Sequence, residues 1–598
     1  MNDEIDLTLH LQTLARRQPS APALLAPGGK PMTFGSLVVR TERIAARLRQ
    51  WGFERGDVVA WVNGDRAQTA AALAMLPASA TISPLSPSST ISTLSAALRR
   101  IGPKAIVVPS KGDSVAARAA SLLDIAVMTA EGDDAGEAGA FDLVLAAPRG
   151  SLDRRSRHSP AWACIGTTSG ATGSPKIVSH GHRQVLQTAH SVGERLGLGP
   201  GDISGHVMPL HLAGGIRNAL FQSLLCGGAV NCLPEAGVDA LIRAIAAGEV
   251  TYASAAFTML REMLARLEEG ARYDRGRLRF MRVASGRMEP GEMDRLERAL
   301  GVPVVTGLAS SETGTAAQQA PDAPRKRGSV GRPVASEVRL VGAEGRDVGA
   351  GEVGEIHVRG PQLFDGYIDD DELNARSFVD GWFRMGDLAR FDGDGELHLV
   401  GRVKEVINRG GDKIAPLEID EALKRLPEVL DAAAFGVPHA RLGEEVVAAV
   451  VMRDGAACDP EAMLAALRAS LGASRAPRRL WFVERLPRTD AGKLARSQLP
   501  THVGFVPDEG PAQPADDDRR SPFERALAAL WCDALGVPRV DADARFADLG
   551  GDEAIASALV ARVDAAFGVA LAPHALRDEA STVAKMVRAI EERRAGRV

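Results

Sequence analysis

Apolar and polar positions alternate in two different ways along the first four hundred residues. Short apolar runs such as DVVAWVNG (57–64) and AIVVPS (105–110) are typical of strands buried in a sheet. Between them, LVVRTERIAARLRQWG (37–52) repeats its apolar residues at helical spacing and ends on a glycine, which predicts an amphipathic helix. Alternation of such strands and helices predicts a large domain of layered α/β sheets over residues 1–400.

The pattern changes near residue 401, where a smaller α+β domain is predicted for residues 401–500. Its expected strands are LDAAAFGVP (430–438) and EEVVAAVVMR (444–453), and PLEIDEALKRL (416–426) has helical spacing. Residues 501–520 are predicted to be a linker because they contain PDEGPAQPADDDRR, which is rich in proline and acids. After it, SPFERALAALWCDALG predicts the first helix of an all-α bundle over residues 521–598, with Ser521 as N-cap and Pro522 in the first turn.

Composition excludes several classes of function. The chain has 598 residues, 45% hydrophobic and 25% charged, as in ordinary multi-domain globular proteins. A net charge of −5 offers no basic surface for nucleic acid or anionic membranes, and no apolar run is long enough to span a bilayer. The acidic N-terminal segment lacks the pattern of a secretory signal. Five scattered cysteines indicate buried apolar side chains in a reducing compartment, so a cytoplasmic enzyme is expected.

The segment ACIGTTSGATGSPKIVSHGHRQV (163–185) carries the clearest chemical signal. An apolar stretch leads into a loop of glycines and hydroxyl residues that ends at Lys176, and a helical pattern follows. Glycines let the backbone approach a polyanion, hydroxyl and N–H groups donate to phosphate oxygens, and the lysine adds a positive charge. The GK[ST] sequence of a Walker A loop is missing. Taken alone, the segment also fits a flexible polar loop between a strand and a helix.

This loop resembles the phosphate-binding signature TSGTTGxPKG of adenylate-forming enzymes, which include acyl-CoA synthetases, nonribosomal peptide synthetase adenylation domains and luciferases. The family's other signatures follow in order over roughly residues 10–500. They are matched by TGLASSETG (306–314), GEIHVRGPQLFDGY (354–367), WFRMGDLARFDGDGELHLVGRVKEVINRGGDKIAPLEIDEAL (382–423) and LPRTDAGKLAR (486–496). Five ordered motifs do not coincide by chance.

The resemblance implies that ATP and Mg²⁺ activate a carboxylic acid as acyl-AMP, which is then transferred to a thiol of CoA or of a separate phosphopantetheinylated carrier protein. It implies that Glu312 binds the metal, that Lys493 is catalytic, and that Lys404 is the hinge of a mobile small domain. The implied nucleotide-binding residues are Thr168, Ser169, Gly170, Thr172, Gly173, Lys176, Ser285, Gly286, Leu308, Ser311, Asp387 and Arg402. For a single acid or lysine, the alternative is an ordinary solvated side chain.

Three positions depart from the family pattern. Leu308 stands where the family usually has an aromatic residue that stacks on adenine, Ala309 where it often has glycine, and Ile177 where glycine follows the loop lysine. None of these changes removes a charged group, so ATP use is expected to survive with weaker stacking on the adenine.

The segment HVMPLHLAGGIRNALF (206–221) bears on the identity of the acid. Members that activate amino acids carry an aspartate here to pair with the substrate ammonium; this segment has none, and a buried ammonium without a counter-charge is costly. An α-amino acid is therefore disfavoured. The candidate pocket residues are His211, Gly214, Arg217 and Arg287. Either arginine could pair with a second carboxylate, indicating a small dicarboxylic or polar acid, or could face outward.

Residues 521–598 resemble an acyl or peptidyl carrier domain, because FADLGGDEAIASALVARVDAAFGVAL (546–571) parallels its attachment motif. Glu553 stands where that family has the serine that carries 4′-phosphopantetheine, so no prosthetic group is expected on this chain. The domain could be a remnant, a docking site for a partner protein, or an accessory to a ligase that uses free CoA. For the function of the whole protein, two alternatives to transfer onto a thiol stay open. One is an enzyme that delivers the acyl-AMP to an amine, and the other is a non-catalytic scaffold protein. A fused ligase and carrier module is typical of secondary-metabolite biosynthesis.

Overall fold

The computed structural model describes residues 6–110, 114–132, 136–146, 152, 156–168, 176–233, 237–284, 286, 288, 290–439, 442–456, 458–488, 494–505, 521–537, 540–578 and 580–595. The chain divides into two compact units. The first runs to Lys404 and includes Arg488–Leu494, and the second comprises Glu405–Pro487 and Ala495–Val598. Of the predicted linker 501–520, residues 506–520 lie outside the described residues, whereas its first two residues belong to the short helix Leu499–His502.

The first unit is built from strands and helices in alternation. Its strands are β1 Pro22–Leu25, β2 Met32–Thr33, β3 Val58–Trp61, β4 Thr81–Pro84, β5 Ala105–Pro109, β6 Ala126–Gly132, β7 Phe141–Leu145, β8 Trp162–Thr168, β9 Lys176–Gly181, β10 Ile203–His206, β11 Ala229–Cys232, β12 Tyr252–Ala256, β13 Phe280–Ala284, β14 Val304–Ser310, β15 Gly314–Gln318, β16 Arg332–Pro333, β17 Glu337–Val341, β18 Gly354–Arg359, β19 Phe378–Val379, β20 Trp382–Phe391 and β21 Leu397–Arg402. Its helices are α1 Leu7–Arg17, α2 Phe34–Gln50, α3 Arg66–Met75, α4 Ile91–Ile101, α5 Val115–Ser121, α6 His182–Arg195, α7 Ala213–Gly215, α8 Gln222–Leu225, α9 Val238–Ala246, α10 Phe257–Glu268, α11 Pro290–Leu300 and α12 Asp371–Ser377.

Three sheets organise this unit. The first has the strand order β7-β6-β5-β3-β4-β8-β9, the second β16-β15-β14-β13-β12-β10-β11-β1-β2, and the third joins β17-β18-β20-β19 with β21 paired to β20. The core strands of the first two sheets run parallel, and strands such as β3 are buried on both faces, which explains their continuous apolar runs. The prediction of layered α/β sheets is confirmed.

Local signals in the sequence explain where the helices begin and end. Helix α2 starts after Thr33, whose side chain accepts a hydrogen bond from the Ser36 N–H, and α4 ends at Gly102, which has a left-handed φ of 62°. A π-helical turn, Ile216–Phe221, interrupts the segment between α7 and α8. Such turns occur frequently at functional sites.

The second unit contains the small α+β domain and the helical bundle. Its strands are β22 Ile407–Arg409, β23 Asp412–Ile414, β24 Val429–His439, β25 Gly443–Met452 and β26 Leu480–Phe482, and its helices are α13 Pro416–Lys424, α14 Pro460–Leu471, α15 Leu499–His502, α16 Pro522–Leu535, α17 Glu553–Phe567 and α18 Val583–Ala595. The long antiparallel pair β24–β25 forms the centre of the sheet. Ser521 caps α16, as predicted, and the structure adds a reciprocal capping box with Glu524.

One expectation about the cysteines is wrong. All five are free, but only Cys164 and Cys232 are buried, and Cys458 is exposed in the irregular stretch just before α14. Among the described residues, no cluster of three or more His, Cys, Asp or Glu side chains could hold a metal ion. None of the described helices is both long and apolar enough to cross a bilayer.

Candidate active site

A short segment connects Lys176, at the end of the predicted phosphate-binding loop, to the loop that carries Glu312. Strand β9 begins at Lys176, and its Val178 forms a bridge with Tyr367. The Phe364 N–H donates to the Glu312 carbonyl at 2.9 Å. Residues 364–368 therefore connect two motifs that are far apart in the sequence, one at Lys176 and the other at Glu312.

Side chains meet at this junction. The Tyr367 hydroxyl donates to Glu312 Oε1 at 2.8 Å, and the Lys176 ammonium lies 4.5 Å from the centroid of the Tyr367 ring. Tyr367 is 6% exposed, and Asn374 holds its backbone through hydrogen bonds of 2.7 and 2.8 Å. One carboxylate oxygen of Glu312 is thus engaged by the tyrosine, and the arrangement fixes the direction of the other.

The electrostatics of this cluster follow from burial and from the opposite charges. Burial, together with the Glu312 carboxylate, raises the pKa of the Tyr367 hydroxyl, which stays a hydrogen-bond donor across the physiological range. Burial lowers the pKa of Lys176, Glu312 opposes that shift, and the positive charge of Lys404 adds to it. Lys404 is exposed, at the end of the first unit.

Asp387 and Arg402 face each other across β20 and β21. They are register partners, and Arg402 Nε donates to Asp387 Oδ1 at 3.0 Å. The Asp387 side chain is 13% exposed, whereas that of Arg402 is 59% exposed. These two residues, both implied to bind the nucleotide, therefore lie together, and the pair presents a carboxylate at a partly sheltered position.

Arg217, on the π-helical turn, is buried with a relative exposure of 3%. Its Nη1 donates to the Ser311 carbonyl at 3.1 Å and to His180 Nδ1 at 3.3 Å, and Nη2 donates to Thr188 Oγ1 at 2.9 Å. Burial lowers the pKa of Arg217 to about 10, which leaves it positively charged at neutral pH. The alternative in which Arg217 faces outward is wrong, because the side chain extends inward behind the Glu312 loop.

The groups that accept hydrogen bonds from Arg217 are uncharged, and the Glu312 carboxylate acts on it only as a nearby charge that opposes the lowering of its pKa. A guanidinium only donates, so His180 accepts at Nδ1 and is neutral; burial and the arginine lower the pKa of His180 well below its ordinary value. A Cβ on Gly314 would lie 2.0 Å from Arg217 Nη2, so the guanidinium packs directly against this glycine. Within the part of the chain that the structure describes, no carboxylate forms an ion pair with Arg217.

Comparison with known proteins decides the family. Residues 11–368 match the family described as AMP-binding enzyme, residues 418–493 its C-terminal domain, and residues 525–590 the family described as phosphopantetheine attachment site. The chain belongs to the AMP-binding enzymes. An adenylate-forming acid–thiol ligase with a carrier-like C-terminal domain, as predicted, is confirmed.

Individual relatives and solved structures are similar to this chain over most of its length. It is 33% identical over 505 residues to the oxalate–CoA ligase of Arabidopsis thaliana, a match covering 82% of this chain and 97% of the relative. It is 31% identical over 497 residues to the sulfoacetate–CoA ligase of Cupriavidus necator, covering 82% and 96%. Among solved structures, ATP-bound MatB from Rhodopseudomonas palustris superposes with a TM-score of 0.73 at 25% identity, covering 83% and 99%.

The other predicted site residues of this AMP-binding enzyme are distributed as follows. Leu308 is 8% exposed and packs in the core beside the third sheet; Gly286 abuts Phe257, because a Cβ there would lie 2.4 Å from that ring. His211 and Gly214 are half-buried in the stretch before the π-helical turn. Ile177 is buried and pairs with Thr167, which explains an apolar residue after the loop lysine.

Several predicted residues lie outside the described residues, or have only their backbone described. Those outside are Ser169, Gly170, Thr172, Gly173, Ser285, Arg287 and Lys493, and of Thr168 only the backbone is described. Their roles in the enzyme remain predictions.

The sequence motifs missed three residues that shape the site. Tyr367 lies inside the matched segment 354–367, and a tyrosine next to a glycine in a matched motif could have indicated a site residue. His180 and Thr188 gave none, because a lone histidine on a strand and a threonine inside a helix are ordinary core residues. Only the fold shows that they surround Arg217.

Proposed function

We propose that this enzyme activates a small acid carrying a second anionic group and transfers the acyl group to CoA in the cytoplasm. The observation that carries the proposal is Arg217, a cation buried behind the Glu312 loop with no carboxylate partner among the described residues. A buried charge of this kind is costly unless an anion approaches it. A second anionic group on the substrate would supply that partner.

The hydrogen bonds that Arg217 makes leave some of its N–H groups for a substrate, which supports the proposal. Of its five N–H groups, two on Nη1 and one on Nη2 bond to Ser311, His180 and Thr188. Nε is buried and makes no hydrogen bond among the described residues. Nε–H and the remaining Nη2–H suit a carboxylate or sulfonate, which can accept two parallel hydrogen bonds from a guanidinium.

Two of the relatives fit this class of acid. The proteins named as oxalate–CoA and sulfoacetate–CoA ligases are named for short acids that carry a second carboxylate or a sulfonate. The substrate proposed here is of the same kind: short, with two anionic groups separated by few atoms.

The first half-reaction would be attack of the acid's carboxylate oxygen on the α-phosphorus of ATP, with release of pyrophosphate. Lys176 would pair with phosphate oxygens, and Ser311 would place its hydroxyl near the α-phosphate. Mg²⁺ fits the site because Glu312 keeps one oxygen that Tyr367 does not occupy, and this ion typically takes one or two carboxylates plus substrate phosphates. Bound there, the ion would neutralise charge on the phosphate oxygens.

The remaining roles divide between nucleotide and transfer. Asp387 would accept hydrogen bonds from the ribose hydroxyls while Arg402 donates to its Oδ1. Lys493 would donate to the carboxylate and α-phosphate oxygens during adenylation. In the second half-reaction the CoA thiolate attacks the acyl carbonyl carbon. The bond between that carbon and the oxygen joining it to phosphorus breaks, and AMP leaves with this oxygen. Lys404, at the boundary of the two compact units, would be the hinge between the two steps.

The test compares acids of matched size with and without a second anion. Pyrophosphate exchange would be measured with oxalate, malonate and sulfoacetate against acetate and propionate, for wild type and Arg217→Met. Two charge-assisted hydrogen bonds are worth about 1.5–3 kcal/mol each, so the variant should lose roughly a hundred-fold or more in kcat/KM for the dianionic acids. For the monoanionic acids the loss should be smaller, because there the variant removes only the contacts of Arg217 with Ser311, His180 and Thr188.

Arg282→Met is the matched control. Arg282 is 2% exposed and donates to Gln222 at 3.2 Å and to Thr315 at 3.3 Å, so its replacement also removes a buried cation. It should leave the preference among acids unchanged. A wild-type preference for monoanionic acids, or an equal loss on both classes in Arg217→Met, would overturn the proposed substrate class.

A further inference from the structure

The C-terminal domain keeps the architecture of a carrier domain. Helices α16, α17 and α18 enclose a core that includes Trp531, Phe546 and Leu559. The Trp531 and Phe546 rings meet edge to face with centroids 5.4 Å apart. This core is made entirely from residues of the domain itself, so its fold does not depend on a prosthetic group.

The loop that displays the attachment position is also intact. Gly550 has a φ of 84°, and a Cβ on Gly551 would lie 2.2 Å from the Phe546 ring, so both glycines are required by the turn. Asp552 caps α17 through a hydrogen bond from the Ile555 N–H at 2.8 Å. Glu553 is therefore held at the first position of α17, with its side chain 82% exposed.

The residue at that position cannot carry the group that the family implies. Attachment needs an alcohol oxygen that forms a stable phosphodiester, whereas a carboxylate forms only a reactive acyl phosphate. The carboxylate of Glu553 instead faces Arg577, whose Nη2 lies 3.5 Å from Oε2. Both side chains are exposed, so this pair adds little to stability.

No other hydroxyl of the domain replaces the missing serine. From residue 521 onward the chain has four hydroxyl side chains, Ser521, Ser557, Ser581 and Thr582. Ser521 caps α16, and Ser557 donates to the Glu553 carbonyl one turn earlier in the helix, at 2.8 Å. Ser581 donates to the Asp578 carbonyl, and Thr582 accepts from the Lys585 N–H. None of the four occupies the first position of α17.

We propose that the C-terminal domain is a carrier fold without a phosphopantetheine arm, in which position 553 is the single missing element. The acyl group formed by the ligase therefore leaves on a thiol that another molecule supplies. Because the loop, the helix cap and the core are intact, Glu553→Ser is expected to restore the attachment site. In that variant the serine oxygen attacks the phosphorus that bears the pantetheine; the pyrophosphate bond of CoA breaks, 3′,5′-adenosine bisphosphate leaves, and the serine proton passes to solvent.

The test incubates the full-length chain with CoA, Mg²⁺ and a broad-specificity phosphopantetheinyl transferase, followed by intact-protein mass spectrometry. Wild type and Glu553→Gln should keep their mass, and Glu553→Ser should gain one phosphopantetheinyl group. Ala554→Ser is the matched control, because it places an exposed serine one position further along the same helix and should stay unmodified. A Glu553→Ser/Ser557→Ala double variant should still be modified.

Two results would overturn the inference. One is modification of the wild-type chain. The other is a Glu553→Ser chain that stays unmodified while its circular dichroism matches the wild type, which would show that more than the serine is missing. The assay needs neither acid nor ATP, so its failure is distinguishable from a failure of the proposed ligase function.

Discussion

Replacing Tyr367 with phenylalanine removes one hydroxyl from the centre of the site. That hydroxyl donates to Glu312 Oε1 at 2.8 Å, and the ring beneath Lys176 remains in the variant. A hydrogen bond to a charged group is worth about 1.5–3 kcal/mol, and each 1.4 kcal/mol or so is tenfold in rate. Glu312 would then be free to rotate away from the metal, so kcat/KM should fall roughly 10- to 150-fold.

The assay is acid-dependent ATP–pyrophosphate exchange measured across a range of Mg²⁺ concentrations. Tyr367→Phe should need more Mg²⁺ for half-maximal exchange, because the hydroxyl orients the carboxylate proposed to bind the ion. Lys176 keeps its contact with the ring, so a contact worth about 0.5–2 kcal/mol is retained. Tyr367→Leu, which removes that contact as well, should lose more activity.

Tyr273→Phe is the matched control, since the Tyr273 hydroxyl donates to the Leu300 carbonyl at 3.0 Å and contacts none of the site residues described above. Its exchange rate and Mg²⁺ requirement should equal those of the wild type. If Tyr367→Phe also exchanged at the wild-type rate with unchanged Mg²⁺ dependence, the role given to the Tyr367–Glu312 hydrogen bond would be refuted.

Three further predictions address other parts of the first unit. Burial lowers the pKa of His206 to about 4, so between pH 6.5 and pH 4 the unfolded state binds a proton that the folded state does not bind. The contribution of His206 to the free energy of unfolding should be complete above pH 6.5 and fall by on the order of 3 kcal/mol toward pH 4. Thermal melts should show this pH dependence, and it should be weaker in His206→Gln. Asp387→Asn should raise the KM for ATP about 10- to 100-fold with little change in the KM for the acid, measured by pyrophosphate exchange at varied ATP. Gly286→Ala should lower both the melting temperature and the activity because its Cβ meets the Phe257 ring, whereas Gly393→Ala, with nothing within 4 Å, should melt within a degree or two of wild type.

The sequence anticipated the architecture because strand and helix patterns are local. Strand β3 and helix α2 lie where the apolar runs and the helical spacing predict them, and the chain beyond residue 405 forms the smaller α+β domain that its pattern predicts. The pairing of Asp387 with Arg402 could also be anticipated, since both belong to one matched motif. The exposure of Cys458 could not be predicted from composition, because it depends on the place of this residue in an irregular stretch between a strand and a helix.

The surroundings of Arg217 could not be predicted. Its partners come from β9, α6 and the loop before Glu312, which are far apart in sequence and meet only through the packing of the sheets. A sequence pattern shows that an arginine is present, but its direction depends on the π-helical turn and on the space beside Gly314. Long-range geometry of this kind leaves no periodic signal along the chain.

The most direct test of the central claim is a single incubation with ATP, Mg²⁺ and CoA over a panel of dianionic and monoanionic short acids, with products identified by mass spectrometry. Acyl-CoA and AMP are expected in equal amounts, formed fastest from a dianionic acid, and neither should form with a Lys493→Ala variant. Product formation that persists unchanged in Lys493→Ala, or AMP release that does not depend on any acid, would contradict the proposed acid–thiol ligase activity.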